Sequence, residues 1–195
     1  PSLQYISGTN EIISGTNNKA DIAYAEYFDL DDKKKYTIKT ILVDFGKIKN
    51  TQNMKFAIWD DNYGFPANLI SSESDIKLTQ PSSPNNTTMY ETSFKHDIWA
   101  QNGVFAGVLI QKNAVDSFAI FTNDKGEITK NTAWIKQNNE QWTTFDSRYN
   151  EPINLKISLL ACWESDKIEE FKIVPNPAYM SAYVDIGSFG GSISK

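Results

Sequence analysis

The chain is poorest in the side chains on which most catalytic and phosphate-handling sites depend, with one histidine, one cysteine and one arginine in 195 residues. The single cysteine, Cys162, excludes an intramolecular disulfide. It lies in INLKISLLACW, a near-continuous apolar run, where a small buried core residue is expected. His96, in FKHDIW, would have to serve any Ser-His-Asp triad, yet no Gly-x-Ser-x-Gly elbow accompanies it, and a histidine-based zinc site needs further ligands of its kind. It is expected to be exposed at a strand end. Arg148 alone builds no clamp of several guanidiniums for phosphate or carboxylate. A net charge of −5 and a pI near 4.9 argue against nucleic acid or an anionic membrane as partner, since such surfaces need clustered Lys and Arg. No apolar run approaches the ~20 residues that span a bilayer. The chain opens at Pro1 with neither methionine nor a signal-peptide run, as expected of a soluble piece of a processed or trimmed protein.

What is present is globular and β-rich. A hydrophobic content of 40%, with 13% aromatic, suits one all-β domain of ordinary size, or one such domain and a fragment of a second. The stretch from Lys35 to Leu78 organises the rest. From Tyr36 to Phe45 apolar and polar residues interleave, with Ile38 and Leu42 assigned to one face and Ile41, Val43 and Phe45 to the other, both faces being covered. Met54, Phe56 and Ile58 alternate with Lys55, Ala57 and Trp59, and Asp60-Asp61-Asn62-Tyr63-Gly64 supplies the turn. Asp60, Asp61 and Asn62 have the oxygen-rich spacing of a calcium loop but lack the distal bidentate glutamate of an EF-hand, so they are a candidate cation site with simple turn formation as the alternative. If Asp60 and Asp61 share a cation, their oxygens must converge.

Elsewhere, Pro1 to Lys19 contains the echo ISGTNEIISGTN, read as hairpin or loop chemistry. Ile22 to Phe28 (IAYAEYF) is a strand, closed by Asp29-Leu30-Asp31-Asp32, an acidic group that reads either as carboxylate oxygens for a hard cation such as calcium or, the favoured reading, as charge that Lys33, Lys34 and Lys35 neutralise. Thr79 to Thr88 (TQPSSPNNTT) reads as an exposed loop with two overlapping glycosylation patterns. Met89 to Phe94, Gly103 to Gln111 and Ser117 to Thr122 read as strands, with the second central. Asn123-Asp124-Lys125-Gly126 is a hairpin signal. Ala133-Trp134-Ile135 and Gln141 to Phe145 flank a turn at Asn138-Asn139, and Ile153 to Trp163 is the last core strand of the domain spanning residues 1–163. Strands at about ten-residue spacing without a helical period predict an antiparallel β-sandwich, jelly-roll-like.

The succession YFDL, YTIKTILVDFG, FAIWDDNYGFPANLI, GVFAGVLI, AWI, QWTTF and INLKISLLACW, covering most of Ile22 to Trp163, resembles the jelly-roll modules of secreted multidomain Bacteroidetes proteins. There such modules sit beside peptidases or adhesins. Phe171-Lys172-Ile173-Val174-Pro175-Asn176-Pro177-Ala178 resembles the opening of the C-terminal sorting domain of the type IX secretion system, an apolar strand running into Pro-Asn-Pro, with Tyr183-Val184-Asp185-Ile186 as its next strand. A complete sorting domain would run well beyond Lys195. Residues 164–195 are accordingly a linker and partial sorting-domain-like segment, or a final strand, and Pro175 and Pro177 stiffen it as an elbow. The resemblance implies a secreted or cell-surface location and neighbouring domains in a larger chain.

For function, binding stands ahead of chemistry. Tyr63, Trp99, Trp134, Trp142 and Tyr149 lie next to turns, where a β-sandwich can present an aromatic platform to a glycan or a surface protein, ordinary core packing being the alternative for each. The rival is a jelly-roll glycoside hydrolase, since Glu164-Ser165-Asp166-Lys167-Ile168-Glu169 has the E-x-D-x-x-E spacing of laminarinase-type enzymes, in which one carboxyl acts as acid and another attacks. The polar residues between Glu164, Asp166 and Glu169 fit a solvated linker better. A purely structural spacer domain is the third reading.

Overall fold

The computed structural model describes residues 2–4, 11–15, 21–48, 54–81, 88–110, 118–122, 132–150, 152–163, 170–172 and 181–183. In chain order the strands are β1 (Ser2–Gln4), β2 (Glu11–Gly15), β3 (Asp21–Asp29), β4 (Tyr36–Ile48), β5 (Met54–Asn62), β6 (Phe65–Glu73), β7 (Lys77–Pro81) and β8 (Thr88–Ala100). They continue with β9 (Gly103–Ile110), β10 (Phe118–Thr122), β11 (Ala133–Gln137), β12 (Thr143–Thr144), β13 (Ile157–Trp163), β14 (Glu170–Lys172) and β15 (Ser181–Tyr183), with one helical turn, α1 (Phe145–Tyr149), after β12. Among the described residues, no helix is long and apolar enough to cross a membrane.

Two antiparallel sheets pack face to face as an all-β sandwich. One contains the run β2-β10-β4-β8-β7, with β13 and then β14 also on the β10 side of β4; the other runs β12-β11-β3-β9-β5-β6. Placing β2-β10-β4-β8 against β3-β9-β5-β6, with the chain crossing between sheets at most connections, gives the wiring of a jelly roll. β1 and β15 form a separate antiparallel pair, and β14 extends the first sheet beyond β13.

The core follows from alternation with one interruption. Opposite β13, Leu160 pairs with Thr40 and Ala161 with Ile38, so Lys39 has no partner and bulges. The extra residue resets the period-two phase, and Tyr36, Ile38, Ile41, Val43 and Phe45 all enter the core while Leu42 turns outward, only half-buried. The assignment of Ile38 and Ile41 to opposite faces is thereby corrected. Phe28, Phe56, Ile58, Val104, Val108 and Ile135 supply the facing layer. In β13, Ile157, Leu159, Ala161 and Trp163 point in, which sends Cys162 to the outer face at intermediate exposure rather than into the core.

Other departures from the sequence reading are local. Thr79–Pro81 extends β7, because an edge strand tolerates polar residues and a terminal proline. Residues 82–87, with the glycosylation patterns, lie outside the described residues, as do 123–131 and the Pro-Asn-Pro elbow. The expected strand at Gln141 to Phe145 shrinks to Thr143–Thr144 because Thr144 caps a helical turn, its Oγ1 accepting from Ser147 N–H at 3.1 Å. The final core strand starts at Ile157, and residues 153–156 form an irregular strap before it. That strap fills a fork: β4 pairs with β13 through Val43 and with β10 from Phe45. Within the fork Asp44 N–H donates to Lys156 O at 3.0 Å, Lys156 N–H donates to Phe121 O at 2.8 Å, and Leu155 bridges Thr122.

Candidate functional site

The β5–β6 hairpin turns through Tyr63 and Gly64, both at positive φ, with Asn62 and Phe65 paired across the turn. Positive φ at both central residues is the tight hairpin geometry whose twist matches the flanking strands. Pro66, on the edge strand, has no N–H to offer, and beside the closing pair none is required. The two carboxylates brace this corner separately. Asp61 Oδ1 accepts from Gly64 N–H at 2.7 Å and its Oδ2 from Tyr27 OH at 3.4 Å, while both oxygens of Asp60 serve Asn68, Oδ1 its N–H and Oδ2 its Nδ2 at 2.8 Å. Asn62 is exposed. Among the described residues, no group of three or more His, Cys, Asp or Glu side chains is placed to hold a metal ion.

Register shifts at Ile58/Trp59 and Trp59/Asp61 bend the hairpin. Although three strands separate β6 from β11 in the sheet, the rings of Phe65 and Trp134 meet at 5.3 Å, so the tip leans across the sheet's outer face. That face is an aromatic cluster resting on small residues. Ala23, Ala25 and Ala57 leave room for Trp59, Phe105, Trp134 and Trp142 to lie over the strands, with Trp59 and Trp142 edge-to-face at 5.1 Å and Phe105 and Trp134 at 5.7 Å.

The five aromatic candidates therefore divide. Trp134 and Trp142 belong to this cluster and are 8% and 9% exposed. Tyr63 stands at the adjoining tip, 96% exposed. Trp99 is half-exposed on β8 with the Lys35 ammonium 4.2 Å over its ring, and Tyr149 is half-exposed on α1 against Phe145. His96 is exposed on β8. Arg148 is spent on structure, pairing with Glu140 at 2.7 Å and with Gln137 Oε1, so it ties α1 to β11. The hydrolase carboxylates Glu164, Asp166 and Glu169 lie outside the described residues.

Beside the hairpin, Tyr27, Asp29, Leu30, Asp31, Asp32 and Asn102 line an open cleft of about 570 Å³. Burial, and then the charges of Asp61 and Asp29, push the Tyr27 phenol up to about 12, so at neutral pH it is a hydrogen-bond donor and neither a base nor a nucleophile. Asp31 turns back on its own loop, accepting from Lys33 N–H at 3.0 Å and pairing with Lys34 at 3.6 Å.

Sequence reasoning passed over Glu26, which is fully buried between the sheets. Its signal was available, since alternation in IAYAEYF sets Glu26 in phase with Tyr24 and Phe28. Compared with family models, with curated proteins and with solved structures, the chain matches none of them significantly.

Proposed function

We propose that the protein is a non-catalytic binding module of a larger secreted or cell-surface protein, and that it meets its ligand, a glycan or another protein, with the tip of the β5–β6 hairpin. The observation that carries this reading is Tyr63, a bulky residue with φ of 53° and 96% of its surface exposed. Left-handed backbone costs such a residue about 1–2 kcal/mol. The other non-glycine residues with positive φ among those described are Asn102, Asn139 and Asn150, the residue type that tolerates it. Asn-Gly would serve this turn better than Tyr-Gly. A tyrosine kept there gives up stability for a ring in solvent, as happens where binding takes precedence over local preference. Exposed Phe65, Leu69 and Ile70 extend the apolar surface along β6. Trp134, edge-to-face with Phe65 and Phe105, and Trp142, edge-to-face with Trp59, offer little free ring to stack on a sugar, which moves the weight to the tip.

Tyr63→Asn separates fold from function. It is expected to stabilise the protein by about 0.5–1 kcal/mol, read as a small rise in Tm. Tested on a panel of polysaccharides by affinity electrophoresis and on a displayed-peptide library, it is expected to weaken any ligand the unaltered protein retains by tenfold or more. Ligands held equally by the variant would sink the assignment of the site. Retention of nothing in either arm would favour the spacer reading.

A further inference from the structure

Gln101 and Asn102 connect β8 to β9 by a sharp bend, in which Gly103 N–H donates to Gln101 O at 2.8 Å and Asn102 lies between them with a φ of 67°. Left-handed backbone is tolerated there by asparagine, aspartate or glycine. Residue 103 is restricted for a different reason. A Cβ on it would stand 2.5 Å from Tyr27 OH and 2.7 Å from Asp61 Oδ2, where the Tyr27 ring, packed on Phe105 at 4.8 Å, reaches across to the β5–β6 hairpin. The bend is thus built on an Asn-Gly step, and Asn102-Gly103 is the sole such step in the sequence. Asn102 is exposed and lines the open cleft with Tyr27, Asp29, Asp31 and Asp32, while its carbonyl accepts from Leu30 N–H at 2.8 Å.

We propose that Asn102 is a self-modification site, at which the Gly103 nitrogen displaces ammonia from the side-chain amide and a carboxylate is left in the cleft. Gly103 N gives up its hydrogen bond to Gln101 O together with its proton and closes on Asn102 Cγ. The Cγ–Nδ2 bond breaks, and ammonia carries that proton away. Water then opens the cyclic imide. Breaking the new N–Cγ bond leaves aspartate, and breaking the original peptide bond leaves isoaspartate, whose main chain runs through Cβ and Cγ. The sum is amide plus water giving carboxylate plus ammonia. Because residue 103 has no Cβ, nothing crowds the attacking nitrogen. Asn139 and Asn150 supply the contrast, since both are exposed with φ of 66° and 54°, yet each is followed by a glutamate. The aspartate product adds a carboxylate to a wall that already carries Asp29, Asp31 and Asp32, with Asp61 behind Tyr27. Isoaspartate also lengthens the connection that holds Leu30. The site stands independently of the hairpin tip as a binding surface.

The test is incubation of the folded full chain in mildly alkaline buffer, followed over weeks by peptide mapping in the mass spectrometer, isoaspartate-specific methylation and an ammonia assay. Asn102 is expected to convert about tenfold or more faster than Asn139 and Asn150, with aspartate and isoaspartate both found at position 102 and ammonia released in proportion. Asn102→Gly, which suits the same backbone, is expected to remove that ammonia. An Asn102 that keeps its amide in the folded chain, conversion of all three asparagines at one rate, or the same ammonia release from Asn102→Gly overturns the proposal. Should Asn102→Gly fail to fold, the comparison of Asn102 with Asn139 and Asn150 in the unaltered chain decides by itself.

Discussion

Gly107→Ala is expected to destabilise the protein by about 3 kcal/mol or more, a drop in Tm of roughly 6–12 °C for a chain of this size. A Cβ at this position would stand 1.9 Å from the Tyr24 carbonyl oxygen and 2.8 Å from Ala25 Cα, both backbone atoms of β3. No flexible side-chain end can move aside, and β3 cannot retreat, because β11 holds its other edge. Relief requires opening the β3–β9 ladder in the middle of the sheet that carries both the aromatic cluster and Glu26. Gly64 makes the useful comparison. A Cβ there meets nothing within 4 Å, so Gly64→Ala is charged only for its φ of 84°, about 1 kcal/mol. Calorimetry on the two variants measures both, and a Gly107→Ala protein melting as high as Gly64→Ala would refute the close-approach argument.

Asp44→Ala is expected to cost about 3–5 kcal/mol, because it leaves the buried Lys156 ammonium without its carboxylate 2.8 Å away. Very little compensation is at hand, the Phe121 ring at 5.4 Å being the neighbouring π-face. The pair is not expected to be a large source of net stability. Taking two charges out of water roughly offsets their attraction, so the double variant Asp44→Leu/Lys156→Met should recover most of the loss. Denaturant titration of Asp44→Leu, Lys156→Met and their double variant closes the cycle, with Asp44→Ala measured beside them. If Asp44→Ala costs no more than a surface substitution, the charge is not held where the fork places it.

The sandwich was legible because its strands declare themselves. IAYAEYF, GVFAGVLI and the alternation through Met54 and Phe56 each match a strand, while of the turn expected at Asp60 to Gly64 only Tyr63 and Gly64 turn, Asp60 to Asn62 being the paired end of β5. What stayed hidden depends on relations between distant segments. The phase of β4 could not be read because the break at Lys39 is defined only against its partner strands β13 and β8. Trp134 and Trp142 sit beside turns as a platform would, and nothing local shows that alanines on β3 and β5 come into register beneath them. Asp60 and Asp61 look like paired ligands in sequence, yet each is taken by donors that the bend of the hairpin delivers. Glu26 could have been flagged from its phase alone, but its partners could not.

The distance to those partners matters for how the chain reaches its fold. Glu26 and Leu155 are 129 residues apart, and Glu26 and Asn154 are 128 apart. Closing so long a loop is slow and comes after the nearer contacts have formed. During synthesis most of both sheets can emerge while a carboxyl in their shared layer still lacks the groups that satisfy it. The strap is therefore a closing step with a quality-control character. A chain stalled or cut before residue 154 holds at its centre an acid left with Thr132 but without Asn154 and Leu155, and it is expected to be the form that chaperones retain and proteases remove.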